Sequence, residues 1–208
     1  MMTKACLSKI GLAIYTAIFI LTGCRSATSP IEFYALTPLI GAPETDKAAG
    51  LGGDGVAVGV GPLQMPKIID RPQIVSRTGL NRINVDEFHR WAGSIYEDFL
   101  TVLAMNLSSL LKTNLVAAYP WEDYFDPDYR VYMEVNQFDG RLGEYALLNI
   151  TWTITGRQPS DILRVQNSVI KEAVQTADYE DLVAAESRIL AALSREMARE
   201  IMEIHAGK

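Results

Sequence analysis

Two stretches of the chain repeat their apolar residues with the period of a helix, and most other apolar runs are short and strand-like. In the first, Phe88, Trp91, Ile95, Phe99, Val102 or Leu103, Leu107 and Leu110 hold one stripe as far as about Lys112. Asn84 and Glu87 stand at capping-box spacing ahead of it, with Asp86 as an alternative cap, so the pattern predicts that this helix opens in the mid-eighties. In the second, Leu182, Ala185, Ile189, Leu193, Met197, Ile201 and Ile204 line one face of a helix from about Tyr179 to Ile204. Asp178 and Asp181 suit its cap and first turn, Gly207 closes it, and Arg195, Glu196, Arg199 and Glu200 mark a wet face.

Strand signals fill the rest. Ile31–Leu36 has strand propensity and ends before Pro38, and Val56–Gly61 alternates valine with small residues up to Pro62. Gln73–Arg77 and Asn81–Val85 read as a hairpin around Thr78-Gly79. Asn114–Ala118 reads as a short strand ended by Pro120. Arg130–Phe138, Glu144–Thr155 and Leu163–Val174 follow as an antiparallel meander, with Asp139-Gly140 and Gly156 as turn signals. Between the first two strands, Gly41–Gly55 is a loop rich in Gly, Ala, Pro and Asp. The order strands, helix, strands, helix predicts a single α/β domain: a mixed, largely antiparallel sheet packed with helices.

The first residues follow a different pattern. Lys4 and Lys9 precede an uncharged apolar run, Ile10–Leu21, which is too short for a membrane span of roughly 20 residues and suits a signal peptide. Leu21-Thr22-Gly23-Cys24 then resembles the bacterial lipobox. A leucine three before the cysteine and small residues next to it let the extended chain enter a signal peptidase, and the thiol takes a diacylglycerol through a thioether. We therefore expect residues 1–23 to be cleaved, residues 24–30 to form a lipidated tether on Cys24, and residues 31–206 to form the domain. Several acyl chains make a far firmer anchor than one, at about 0.8 kcal/mol per buried CH2. Arg25 stands where an aspartate would signal inner-membrane retention, so the expected location is the periplasmic face of the outer membrane.

Charge and chemistry narrow the function classes. The formal charge of −6 becomes −8 once the segment carrying Lys4 and Lys9 is removed, and an acidic domain does not suit nucleic acid. Cys6 leaves with the signal, so the domain has no disulfide and no thiol catalyst. His89 and His205 are far apart and lack metal-ligand spacing. The acidic loop Glu122, Asp123, Asp126 and Asp128 lacks the central glycine of a calcium hand. Neither a phosphate loop nor a nucleophile elbow is present. Asn106-Leu107-Ser108 and Asn149-Ile150-Thr151 match the glycosylation pattern, but the first falls within a helix and the lipobox marks the chain as bacterial. The residues thus point to no enzyme, no metal and no cofactor. Two features suit either an interface or the core: Arg90-Trp91 is an interface anchor or a core tryptophan beside a solvated arginine, and the apolar, proline-bracketed run Met65–Pro72 folds back on the core or meets a partner.

Those features also carry a resemblance. Phe33-Tyr34-Ala35-Leu36, Val58-Gly59-Val60-Gly61-Pro62, Pro66 with Ile69-Asp70-Arg71-Pro72-Gln73-Ile74-Val75, Arg90-Trp91 and Leu103-Ala104-Met105-Asn106-Leu107 resemble the ABC-type transport auxiliary lipoproteins. Among these are the PqiC-like (paraquat-inducible protein C) membrane-integrity lipoproteins. The resemblance implies an anticodon-binding-like, three-layer arrangement with the sheet between helices. It implies a partner carrying MCE domains, which form tubes for lipid between the two membranes, and a homo-oligomeric ring as a further option. Ile69, Asp70, Arg71, Pro72, Arg90 and Trp91 are then the interface candidates. Two other readings remain open at this point: a lipoprotein that itself binds an apolar ligand, and a structural lipoprotein of a secretion pore.

Overall fold

A computed structural model describes residues 30–39 and 55–207. Contacts separate residues 1–30 from a compact unit, residues 31–208, that holds every element named below. The strands are β1 (Glu32–Tyr34), β2 (Val58–Gln64), β3 (Gln73–Arg77), β4 (Ile83–Trp91), β5 (Val116–Ala118), β6 (Tyr129–Arg141), β7 (Tyr145–Thr155) and β8 (Ile162–Ala173). The helices are α1 (Ile95–Leu111), between β4 and β5, and α2 (Tyr179–Ala206), after β8.

All eight strands form one mixed sheet, curled into a half-barrel, with β6 at its centre. One edge of β6 pairs along its whole length with β7, antiparallel, and β7 pairs likewise with β8. The other edge is shared. Its first half, Tyr129–Glu134, pairs in parallel with β2, and its far end meets β3 at Gly140–Ser76. The division falls at a bulge, where Asn136 and Gln137 together oppose Asn149 of β7. The extra residue keeps Phe138 on the same face as Val131, Met133 and Val135; without it the pleat would turn Phe138 outward.

That face is the core. Val131, Met133, Val135 and Phe138 of β6 and Ala146, Leu148, Ile150, Trp152 and Ile154 of β7 are buried under the helices. Helix α2 covers β7, β8 and part of β6; α1 covers β2 and β5; the two helices also pack on each other. Phe99 of α1 meets Phe138 edge-on, with ring centroids 5.4 Å apart. The opposite side of β6–β8 carries the polar and exposed residues Glu134, Asn136, Asn167 and Val169. The fold class is therefore the expected single α/β domain, a mixed sheet packed with helices, and the two described helices also pack on each other.

Three local expectations change. The first helix begins at Ile95, with Ser94 as its cap accepting from the Glu97 N–H, and residues 83–91 are strand. The capping chemistry read at Asp86 is present: its Oδ1 accepts the N–H groups of Phe88 and His89 at 2.8 and 3.0 Å. It closes an irregularity in β4, where the pairing with β3 jumps from Val75–Val85 to Gln73–Arg90, and strand neighbours on both sides hold the chain extended afterwards. Next, β2 continues through Pro62 to Gln64 by way of a register shift at Gly61, whose φ of +114° suits glycine. Finally, Asp139-Gly140 lies inside β6, and the turn falls at Leu142-Gly143. The β3–β4 hairpin, the meander and α2 stand as expected. The loop read at 41–55 lies almost wholly outside the described residues.

Candidate functional site

After β1 the chain leaves the sheet and crosses both helices. No strand pairs with Leu36–Leu39, so side chains take the place of a ladder. The Leu36 N–H donates to Asp98 Oδ2 of α1 at 2.7 Å, Thr37 N–H to Ser187 Oγ of α2 at 3.1 Å, and Leu39 N–H to Asn106 Oδ1 of α1 at 2.7 Å. Pro38 has no N–H to place, so every backbone donor of this strap is satisfied by a helix. The holders are themselves held. Ser187 donates to the Val183 carbonyl, and Asn106 Nδ2 donates to Ser194 Oγ, which donates to the Leu190 carbonyl. Burial pushes the Asp98 carboxyl above its ordinary range, against the opposing pull of the Leu36 N–H.

Beside the strap, four elements bring together a polar aromatic cluster. His89 of β4 stacks on Tyr179 of α2 at 4.1 Å, and its Nδ1 lies 2.8 Å from Asp86 Oδ1. The Tyr179 hydroxyl donates to Asp86 Oδ2 and accepts from Asn84 Nδ2, with Ser76 Oγ of β3 at 3.4 Å. On β1, the Tyr34 hydroxyl donates to Glu32 Oε2 at 2.6 Å, and that carboxylate lies 3.9 Å from His89 Nε2. Burial opposes ionisation of Asp86, yet the bonds from the His89 ring and from the N–H groups of Phe88 and His89 prevail and hold its carboxyl below the usual range. Burial pushes the Tyr179 hydroxyl up. It also pushes up that of Tyr34, helped by Glu32, Asp178 and Glu180.

The interface candidates fall into two groups. Trp91 and Ile69, each 6% exposed, belong to the core, while Asp70 and Pro72 are exposed and Arg71 and Arg90 half-buried. The fold brings the two motifs together, since the Trp91 N–H donates to the Pro72 carbonyl at 2.8 Å. Around that joint, Arg71 Nε reaches Gln73 Oε1, and both Gln73 Nε2 and Arg90 donate to Glu87 Oε2. This forms an exposed, charged patch on β3 and β4. Elsewhere, two of the four carboxylates of the 121–128 loop pair with neighbours: Asp128 with Arg157 at 2.8 Å and Asp126 with Arg130 at 3.2 Å. Among the described residues no group of three His, Cys, Asp or Glu is placed to hold a metal ion.

Sequence reasoning missed the roles of Asp98, Ser187 and Asn106, which bond to chain far away in sequence. Asn106 stood in a glycosylation pattern and in the Leu103–Leu107 run of the resemblance, neither of which pointed to the strap. The partners of His89 on α2 and β1 had no local signal either. For Asn106 a signal existed: a polar residue among the apolar residues Leu103–Leu107.

This geometry defines a half-barrel sheet covered by helices, with β1 and the strap after it tied to both, and its class follows from the comparisons. The family model for the ABC-type transport auxiliary lipoprotein component matches residues 34–198. The chain belongs to that family. No curated protein matches it. Among solved structures it is similar to an uncharacterized protein, at 18% identity and a TM-score of 0.68, over 83% of this chain and 99% of the other. It is also similar to protein XCC0632 of Xanthomonas campestris, of the DUF330 family, at 17% identity and a TM-score of 0.63, over 80% and 92% of the two chains. At such identities these likenesses speak for the fold. No described helix is long and apolar enough to cross a membrane.

Proposed function

We propose that this chain is the lipid-anchored accessory of a transport system that moves lipids or other hydrophobic compounds between membranes. It is tethered through Cys24 to the periplasmic face of the outer membrane. It acts by docking to an MCE-domain periplasmic protein, and so supports membrane integrity. The observation that carries this reading is the family match from Tyr34 to Ala198, which spans the strap, all of α1 and most of α2. The strap supports it mechanically: a chain anchored at Cys24 enters the domain at β1, and three side-chain hydrogen bonds transmit the pull to α1 and α2. The family is one of transport auxiliaries, and the polar clusters described here tie elements together, so the reading is of a non-enzymatic partner.

The test is a crosslinked pull-down from envelopes with wild-type chain and with Cys24→Ala. Capture of an MCE-domain protein by the wild type, depleted in the unanchored variant, is the expected result. Failure to capture such a protein with the anchor intact would overturn the docking reading.

A further inference from the structure

Between β1 and the first turns of α2 lies an open cleft of about 620 Å³, lined by Glu32, Phe33, Ala35, Asp178, Glu180 and Val183 among others. Three features of it point the same way. First, β1 is an end strand. It pairs in parallel with β4 on one side, and the Tyr34 carbonyl accepts the Ala92 N–H from that side. In a parallel ladder alternate residues direct both backbone groups to opposite sides, so Phe33 presents its N–H and carbonyl to the free edge. No described strand covers that edge. Second, both walls carry apolar residues: Phe33, 64% exposed, stands on the β1 side, and Val183, itself largely buried, and the small Ala184 line the helix side. Third, every charged lining residue is acidic: Glu32, Asp178 and Glu180. The Glu32 carboxylate is shared with Tyr34 and Asp178 caps α2, while Glu180 contributes only its N–H to that cap.

We propose that this cleft is a strand-addition site. It receives an extended segment of a protein partner that pairs with the outer edge of β1 and carries lysine or arginine among apolar residues. Backbone pairing with Phe33 gives the register, apolar side chains lie between Phe33 and Val183, and a cation answers Glu32 and Glu180. The inference rests on the reading of the chain as a docking partner, and it names the surface and the chemistry of the contact.

A fluorescent eight-residue peptide alternating lysine and valine, titrated onto the full chain, tests it. We expect saturable binding that weakens about tenfold in Glu180→Lys. It should be lost when alternate peptide nitrogens are methylated, and absent for the glutamate–valine counterpart. Phe33→Glu, on the opposite wall, gives the same loss should Glu180→Lys not fold as judged by circular dichroism. Equal binding of the methylated or the acidic peptide, or unchanged affinity in both folded variants, overturns the proposal. The envelope pull-down separates this from the docking reading. An MCE-domain protein captured equally by wild type and Glu180→Lys removes the cleft as the contact and leaves docking intact. Absence of that protein from both overturns docking, and the peptide titration then decides the cleft alone.

Discussion

The two sides of β6 are built on different principles. On one side, β6, β7 and β8 pair for eleven residues at a time; the inward positions of β6 and β7 form an unbroken apolar face, while β8 meets α2 through the polar contacts Ser168–Glu196 and Arg164–Glu200. On the other, β2 and β3 share one edge, β4 carries an irregularity capped by Asp86, and β1 pairs through only three residues. There the chain is held by Asp98, Asn106, Ser187 and the Asp86–His89–Tyr179 cluster. Hydrophobic burial is non-directional and tolerates an approximate fit, whereas each polar bond needs one partner at one place. The meander side should therefore supply stability, and the β1 side should determine where β1 and the strap after it are held.

Substitutions can break that contrast. The largest effect is expected for Phe138→Ala, which empties the contact with Phe99 and should cost about 3–5 kcal/mol in denaturant unfolding. Phe33→Ala, with the same chemistry on β1, should stay within about 0.5 kcal/mol. A loss at Phe33 as large as that at Phe138 would mean β1 belongs to the core.

Glu186 of α2 is an exception on the meander side. It is buried, its Oε2 has no hydrogen-bond partner, and burial with the nearby Asp139 pushes its carboxyl up to about 8. A carboxyl whose folded pKa is raised holds its proton in the native state while the unfolded chain has lost its own. Wild-type stability should thus fall as pH rises from about 4.5 toward 8, on the order of 1 kcal/mol per unit. Glu186→Gln should flatten that slope, gaining stability at pH 8 and little at pH 4. Parallel unfolding curves for the two proteins across that range would count against the assignment.

Asn106→Ala should cost about 1–3 kcal/mol, because it strands the Leu39 N–H and a bond to Ser194 in a residue only 1% exposed. It should also speed proteolysis near residues 36–39; unchanged cleavage there would show that the strap is held by other means. The smallest effect is expected for Ser94→Ala, about 1 kcal/mol of cap, read by thermal unfolding.

Part of this contrast was written locally. The meander, α2 with its Asp178 cap and the β3–β4 hairpin were legible because period and turn chemistry agreed along each segment. The interface candidates were legible only as motifs. The structure joins them through the Trp91–Pro72 bond but buries Trp91 and Ile69, which a pattern of apolar residues does not distinguish from exposed anchors. Residues 84–91 misled because Asp86 makes the bonds of a helix cap inside a strand. Ser94 and Glu97 carried the true capping-box spacing ten residues later.

By itself, then, the sequence determined the period of each long element and the family resemblance, since each is encoded in neighbouring residues. Tertiary structure alone decided that β6 would serve two neighbours on one edge, that the two described helices would pack on each other, and that Asp98, Asn106 and Ser187 would hold the strap. Those contacts join residues from 62 to 150 positions apart, and a backbone donor takes whichever buried acceptor folding brings to it.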